Sequence, residues 1–174
     1  CVGRGEHRSD RFLNADHRVM INMQEQVMCV MTERCKAVLN DALKHSVFYG
    51  HTSVGTEHLL FSLLNDESCV AVNVLEEVGV DIGSLRYAIE RSLKALDKAD
   101  DTFQNSTTSI VANAIEYQAQ RIRDCESKLT IGTGDLLVSI LKLHDSKAAK
   151  FIWKTGVSFL EIIRVYEALQ GIDE

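Results

Sequence analysis

The sequence lacks proline, and its cysteines do not suit a disulfide framework or a zinc site. The five cysteines are odd in number, and no two form a Cys-x-x-Cys pair; they are Cys1, Cys29, Cys35, Cys69 and Cys125. Paired bridges need an even count, and structural zinc needs closely spaced thiolates. We therefore interpret these residues as reduced thiols, most of them small core residues.

Clusters of positive charge and long apolar segments are also missing. The chain has 19 Lys and Arg against 25 Asp and Glu, a formal charge of −6, whereas nucleic-acid binding needs a clustered basic surface. No segment approaches the roughly 18 apolar residues that span a bilayer, and the first residues lack the apolar core of a secretory signal. We predict a soluble protein of the cytoplasm or an organelle matrix, including a plastid-type organelle, that is not secreted and contacts neither nucleic acid nor membrane. Because the chain opens at Cys1 rather than Met, we expect a processed product or a fragment.

The sequence repeats itself at a spacing of 77 residues. Val54-Gly55-Thr56 returns as Ile131-Gly132-Thr133, and the same offset holds without a gap across about sixty residues. Small residues, glycines and predicted core residues recur at this spacing, whereas predicted exposed residues differ. The matching pairs include Ala37 with Ala114, Leu59-Leu60 with Leu136-Leu137, Ala71 with Ala148, and Gly79 with Gly156. Such self-similarity predicts one supersecondary unit present twice.

Each unit has the apolar period of four helices and no strand-like alternation, so we predict an all-α fold. In the first unit, Thr32 is the predicted N-cap of helix one and Gly50 its terminator. Thr56 is the predicted cap of helix two, after a tight turn that uses the backbone freedom of Gly55. Helix three is predicted over about 68–78, and Asp81 is expected to cap helix four. The predicted buried stripes of helices one and four are Cys35, Val38, Leu39, Ala42, Leu43 and Val47, and Ile82, Leu85, Ala88, Ile89, Leu93 and Leu96.

The units imply a domain layout. We predict a flexible N-terminal extension over 1–30 and a domain over 31–170, with repeat one at about 32–96, an acidic linker at 97–105 and repeat two at about 106–170. The two units are expected to pack together, because about sixty residues bury little surface alone.

Three segments carry a resemblance to a known family. At Thr32-Glu33-Arg34, Gly50-His51 and Val54-Gly55-Thr56-Glu57-His58-Leu59-Leu60, the sequence resembles the N-terminal domain of the Clp ATPases, especially the ClpC and ClpA type. The resemblance covers about 31–170 and is weaker in the second repeat, which has Gly134-Asp135 in place of Glu-His and Ser127-Lys128 in place of Gly-His. It implies two tandem four-helix Clp-N repeats in a pseudo-twofold bundle of eight helices, placed on a hexameric unfoldase.

The resemblance also implies a ligand site. In bacterial ClpC relatives this domain binds phosphorylated arginine through a Thr and a Glu of each repeat, which correspond here to Thr32 and Glu57, and to Ser109 and Gly134 in the second repeat. Because Gly134 has no carboxylate, we expect at most one such site. Capping alone also explains a Thr and an acidic residue at helix starts, and that simpler interpretation stays open for both Thr32 and Glu57.

Other chemically suggestive residues have structural interpretations. His51 and His58 lie near Glu57 in sequence, but zinc needs three or four converging ligands and no His-Glu-x-x-His motif is present. We expect both histidines to fix the loop between helices one and two by hydrogen bonds. Cys35 is expected to be a core thiol, and Trp153 and Phe159 core residues.

We predict no catalytic site and no metal or cofactor in this chain. It has no Gly-x-x-x-x-Gly-Lys-Ser/Thr loop, so ATP would be bound only by a longer parent protein. The resemblance implies a domain that binds substrate polypeptides and adaptor proteins for a Clp ATPase hexamer and its Clp protease. The alternative is a stand-alone accessory protein that docks on a Clp protease core, and a coding sequence that stops at Glu174 rather than continuing into an ATPase module would favour it.

Overall fold

The computed structural model describes residues 31–51, 53–95, 112–114, 116–117 and 130–169. Apart from one isolated bridge between Met31 and Ile131, the regular structure in these ranges is helical. The helices are α1 (Glu33–Tyr49), α2 (Thr56–Asn65), α3 (Val70–Glu77), α4 (Ile82–Ala95), α5 (Thr133–Lys142), α6 (Lys147–Trp153) and α7 (Phe159–Ala168). Residues 112–114 and 116–117 are also helical. The predicted extension, the linker and Ser109 lie outside the described residues, so the domain boundaries stay predictions.

Both ends of α1 agree with the sequence prediction. The Thr32 hydroxyl accepts a hydrogen bond from the Cys35 N–H at 3.1 Å, which caps the helix. At the other end Gly50 has φ 75° and ψ 25°, the left-handed conformation that glycine adopts without a steric penalty. Thr32 and Gly50 therefore fix the length of α1.

The predicted buried stripe of α1 was wrong at two positions. Cys35, Val38 and Ala42 are buried, whereas Leu43 and Val47 are exposed. Each exposed position follows a buried one, Ala42 or Ser46, by one residue, and one residue rotates a side chain by about 100° around the helix. The core side of α1 is thus narrower than its apolar sequence suggested. A similar error affects α4, where Ala88 is exposed beside the buried Leu85, Ile89 and Leu93.

The centre of the fold is formed by α2 and α5, the equivalent helices of the two repeats. They contact each other, and nine of the ten residues of each are buried. Their core residues repeat the same pattern: Leu59, Leu60, Leu63 and Leu64 in α2, and Leu136, Leu137, Ile140 and Leu141 in α5. Burial of an aliphatic side chain contributes about 1.5 to 3 kcal/mol, so this helix pair supplies much of the hydrophobic stabilisation.

The start of α2 differs from the sequence prediction. Gly55, not Thr56, is the N-cap residue, and Thr56 is the first helical residue. Gly55 has φ −94°, a conformation that any residue adopts, so backbone freedom is not the reason for glycine here. A Cβ atom at Gly55 would lie 2.7 Å from the Glu57 Oε2 atom, so the glycine makes room for that carboxylate.

The third and fourth helices begin and end close to the predicted positions. Gly79, with φ 86°, follows α3, and the Asp81 Oδ1 atom accepts a hydrogen bond from the Ser84 N–H at 3.2 Å at the start of α4. Gly156 repeats the φ of 86° in the second repeat. The same turn therefore separates the third and fourth helices in both repeats.

The third helix of each repeat packs against helices of the other repeat. Helix α3 of repeat one packs on α5 and α7, and α6 of repeat two packs on α2 and α4. This reciprocal arrangement confirms the pseudo-twofold, all-α fold. Cys35 and Cys69 are fully buried, as predicted for the thiol of Cys35, whereas Trp153 and Phe159 are half-buried rather than core residues.

Candidate functional site

The predicted ligand residues lie where repeat one meets repeat two, and two threonines define this interface. The Thr56 hydroxyl accepts a hydrogen bond from the Ala148 N–H at the start of α6, and the Thr133 hydroxyl accepts one from the Ala71 N–H at the start of α3; both distances are 3.4 Å. All four groups are buried. Thr56 therefore joins the repeats instead of capping its own helix as predicted.

Glu57 lies in the first turn of α2, immediately after Thr56. Its side chain is only 9% exposed, and its Oε1 atom is 3.8 Å from the Lys147 Nζ atom of α6. Burying a carboxylate is costly unless a cation or donors compensate, and the half-exposed Lys147 supplies the cation. The predicted ligand carboxylate is therefore already paired within the domain.

The equivalent pair in the other half of the fold is uncharged. Gly134 takes the place of Glu57, and Val70 takes the place of Lys147. A Cβ atom at Gly134 would lie 2.3 Å from the Tyr166 ring and 3.1 Å from the Val70 side chain. The Tyr166 hydroxyl donates a hydrogen bond to the Asp135 carboxylate, which holds the ring in this position. In the second repeat a tyrosine ring thus fills the space beside Gly134.

Thr32 lies at a different point of the same interface. Its hydroxyl caps α1, and its backbone N–H donates a hydrogen bond to the Ile131 carbonyl at 2.9 Å. Thr32 and Glu57 therefore both contact repeat two, Thr32 beside Ile131 and Glu57 beside Lys147. The Thr32 hydroxyl already serves as a cap, so its ligand role rests on the resemblance alone.

The two histidines form a hydrogen-bonded pair beside Glu57. The Gly55 N–H donates to His58 Nδ1 at 2.9 Å, which leaves the proton of His58 on Nε2, and this N–H donates to His51 Nδ1 at 2.7 Å. The histidines therefore connect the end of α1 to the start of α2, as predicted. Burial, followed by the electrostatic effects of His51, His45 and Lys147, lowers the pKa of His58 to about 4.

Asp135 is the second-repeat counterpart of His58. Its carboxylate accepts a hydrogen bond from the Gly132 N–H at 2.9 Å, the same bond that His58 accepts from Gly55. Both repeats therefore cap their second helix with the side chain of the third helical residue. The same capping hydrogen bond is therefore present in both repeats, although its acceptor is a histidine in the first and an aspartate in the second.

Three large apolar side chains on the second half of α1 are exposed to solvent. Leu43, Val47 and Phe48, which we name the α1 apolar face, are 55%, 70% and 79% exposed. Their exposure differs from the usual burial of large aliphatic and aromatic residues. Leu43 and Val47 are four residues apart and so lie on the same side of the helix, and Phe48 follows Val47. Helix periodicity assigned two of them to the core, so only the structure identified this surface.

The described residues contain no group of three or more His, Cys, Asp or Glu side chains placed to hold a metal ion. Within the described ranges no helix combines the length and the apolar character needed to cross a bilayer.

Comparison with known proteins gives consistent matches in sequence and fold. The family model described as the Clp repeat (R) N-terminal domain matches residues 30–155. A probable ATP-dependent Clp protease ATP-binding subunit of Chlamydia pneumoniae is 31% identical over 121 residues, which are 70% of this chain and 14% of that protein. The ClpA homolog of Porphyra purpurea, also described as an ATP-dependent Clp protease ATP-binding subunit, is 37% identical over 76 residues, 44% of this chain and 9% of that protein.

The fold is similar to that of a solved N-terminal domain. The crystal structure of the Hsp104 N-terminal domain from Candida albicans has a TM-score of 0.62 with this chain, at 11% identity, over 83% of this chain and 93% of that chain. At this identity the likeness concerns the fold alone. The chain spans about a seventh or less of the length of the two relatives that it matches in sequence.

Proposed function

Since the chain belongs to the Clp repeat N-terminal domain family, we propose that it receives substrate polypeptides and adaptor proteins for a Clp-type AAA+ ATPase in the cytoplasm or an organelle matrix. Such a domain would deliver bound proteins to the ATPase hexamer and its Clp protease. The chain has no Gly-x-x-x-x-Gly-Lys-Ser/Thr loop for a nucleotide, so we assign it no step that involves ATP.

The α1 apolar face is the observation that carries this proposal. Leu43, Val47 and Phe48 present apolar side chains to solvent on a helix whose opposite side is fixed in the core. An unfolded polypeptide exposes apolar side chains that a folded protein buries, so it can cover such a face without a specific sequence. Three side chains give weak affinity, which several copies on one hexamer would raise through effective concentration.

A titration with a permanently unfolded protein tests the proposal. We expect a fluorescently labelled, reduced and carboxymethylated lactalbumin to bind the domain, and the double variant Val47→Asp/Phe48→Asp to bind at least about fivefold more weakly, since charges on this face oppose apolar burial. The control Ala37→Asp/Asn40→Asp adds the same charge to exposed positions nearer the start of α1. Equal weakening by both variants, or no binding by the unmutated domain, would contradict the proposal.

The ligand site of Thr32 and Glu57 is a separate proposal that rests on the resemblance. A guanidinium group could pair with the Glu57 carboxylate only by displacing the Lys147 ammonium group. We expect Glu57→Ala to weaken the binding of free phosphoarginine in isothermal titration calorimetry and Ser109→Ala to leave it unchanged. Absence of heat with the unmutated domain would rule this site out and leave the polypeptide-binding proposal intact.

A further inference from the structure

Helix α6 of the second repeat has a basic outward side. Lys147, Lys150 and Lys154 are spaced three and four residues apart, which places them on one side of the helix, while Ala148, Ala149 and Ile152 are buried on the other. We name these three lysines the α6 basic face. It lies within a chain whose formal net charge is −6.

The equivalent helix of the first repeat has the opposite charge. In α3, Val70, Asn73 and Glu77 occupy the positions of Lys147, Lys150 and Lys154, and Glu76 occupies that of Trp153. Three buried residues of α3 correspond to three of α6, namely Ala71, Val72 and Leu75 to Ala148, Ala149 and Ile152, so this shared part of the core does not require the difference in charge. Val70 is buried, but the other two compared positions, Asn73 and Glu77 against Lys150 and Lys154, lie outside the core.

Two of the three lysines have no carboxylate partner in the described part of the chain. Lys147 is 3.8 Å from Glu57, but among the described residues no acidic side chain lies within ion-pair distance of Lys150 or Lys154. The Lys154 side chain is exposed, and its ammonium group lies over the Phe151 ring, 5.5 Å from its centroid. These two charges are available to an external anion.

A cluster of aromatic rings adjoins the lysines. Trp153 lies 6.5 Å from His144 and 6.5 Å from Phe159, measured between ring centroids, and His144 lies 6.2 Å from Phe159. His144 is exposed, and the other two rings are half-buried. The first repeat has Glu67, Glu76 and Ile82 at these positions, so the cluster belongs to the second repeat only. Half-buried rings offer apolar area at a low entropic cost.

We propose that the α6 basic face and the adjoining ring cluster form a docking surface for an acidic peptide segment of a partner protein, one that carries an apolar or aromatic anchor. The lysines attract and orient the acidic side chains, and the anchor packs against Trp153. Charge complementarity supports a peptide of this composition, and the rings support an anchored segment over a simple inorganic anion. The surface is distinct from the α1 apolar face.

The position of Trp153 permits a direct measurement, because it is the only tryptophan in the chain. We would titrate the full chain with a synthetic peptide of twelve residues that contains five glutamates and one leucine, and follow the tryptophan emission. The comparison peptide has glutamine at each glutamate position. We expect a saturable change in emission with the acidic peptide, weakened as the salt concentration rises, and binding of the glutamine peptide weaker by about tenfold.

Charge-reversal variants locate the surface. Lys150→Glu/Lys154→Glu should weaken binding of the acidic peptide by about tenfold, whereas Lys36→Glu/Lys44→Glu on α1, which changes the net charge equally, should change it less than twofold. Circular dichroism would confirm that both variants fold. In Trp153→Ala, anisotropy of the labelled peptide should report binding weaker by about fivefold.

Several outcomes would overturn the proposal. Equal binding of the glutamine peptide would show that the surface binds apolar groups without recognising charge. Equal weakening by the two lysine double variants would show that only the net charge of the protein matters and not the position of the lysines. Binding of inorganic polyphosphate or of anionic lipid vesicles at least as strong as that of the peptide would replace a peptide surface with a general anion surface. Since Val47→Asp/Phe48→Asp should not alter the tryptophan signal, failure here is distinguishable from failure of the proposed polypeptide-receiving function.

Discussion

Thr56 and Thr133, 77 residues apart in the sequence, make the same hydrogen bond in opposite directions across the inter-repeat interface. Each hydroxyl accepts from the backbone N–H of an alanine at the start of the other repeat's third helix. A threonine is therefore retained in both repeats because each repeat completes the hydrogen bonding of the other. This explains why the threonine is repeated although the two residues that follow it, Glu57-His58 and Gly134-Asp135, differ between the repeats.

The threonine bonds should contribute measurably to stability. Thr133→Val keeps the shape of the side chain but leaves the buried Ala71 N–H without its acceptor, and we expect the free energy of unfolding in urea to fall by about 1 to 2 kcal/mol. We expect a similar decrease for Thr56→Val, which removes the acceptor of the Ala148 N–H. The control Thr130→Val, at an exposed position, should change it by less than about 0.5 kcal/mol. A cost of Thr133→Val no larger than that of the control would show that this bond does not hold the repeats together.

A side chain introduced at position 134 of the second repeat, including a carboxylate, should destabilise the fold. The Tyr166 ring occupies the space that a side chain at position 134 would need, so we expect Gly134→Ala to reduce the free energy of unfolding by at least about 2 kcal/mol and Gly134→Glu by more. In a Tyr166→Ala background, the additional cost of Gly134→Ala should fall by half or more. An equal cost in both backgrounds would contradict the steric explanation.

The stability of the domain should depend on pH through His58. Its pKa is lowered from 6.5 to about 4 in the folded state, so between these values the unfolded state binds more protons. Stability is therefore complete above about pH 6.5 and falls as the pH drops towards 4, by up to about 2 kcal/mol between pH 7 and pH 5.

A variant isolates this effect from other titrating groups, including His45, whose pKa burial also lowers. Asparagine at position 58 can accept the hydrogen bond of the Gly55 N–H but does not titrate, so His58→Asn should remove most of the loss of stability between pH 7 and pH 5. Urea titrations at both pH values measure the difference. The same pH dependence in the variant would show that His58 is not responsible.

Much of the fold could be predicted because it follows from patterns that local chemistry fixes. Thr32, Gly50 and Asp81 specify helix ends through capping bonds or left-handed backbone, and these predictions were correct. The repeat spacing predicted that two equivalent units exist. Thr56 was misassigned as a cap because its partner, Ala148, lies 92 residues away in the sequence, beyond the reach of any local rule.

The candidate site was less predictable for the same reason. Glu57 and Lys147 belong to different repeats, and the Tyr166 ring beside Gly134 comes from the fourth helix of its repeat, so only packing brings these residues together. The α1 apolar face was not predicted, because the spacing of Leu43 and Val47 in the sequence matches that of a buried stripe. Trp153 and Phe159 were assigned to the core on their hydrophobicity, whereas they form the edge of a surface cluster.

The central claim, that the α1 apolar face receives unfolded polypeptides, is tested most directly by site-specific photocrosslinking. The photoreactive amino acid benzoylphenylalanine would replace Phe48, and in a second variant Glu33, whose side chain is exposed at the start of the same helix. With labelled, carboxymethylated lactalbumin, we predict a strong crosslinked band from position 48, which excess unlabelled lactalbumin suppresses, and little from position 33. Bands of equal intensity from both positions, or no band from position 48, would contradict the account.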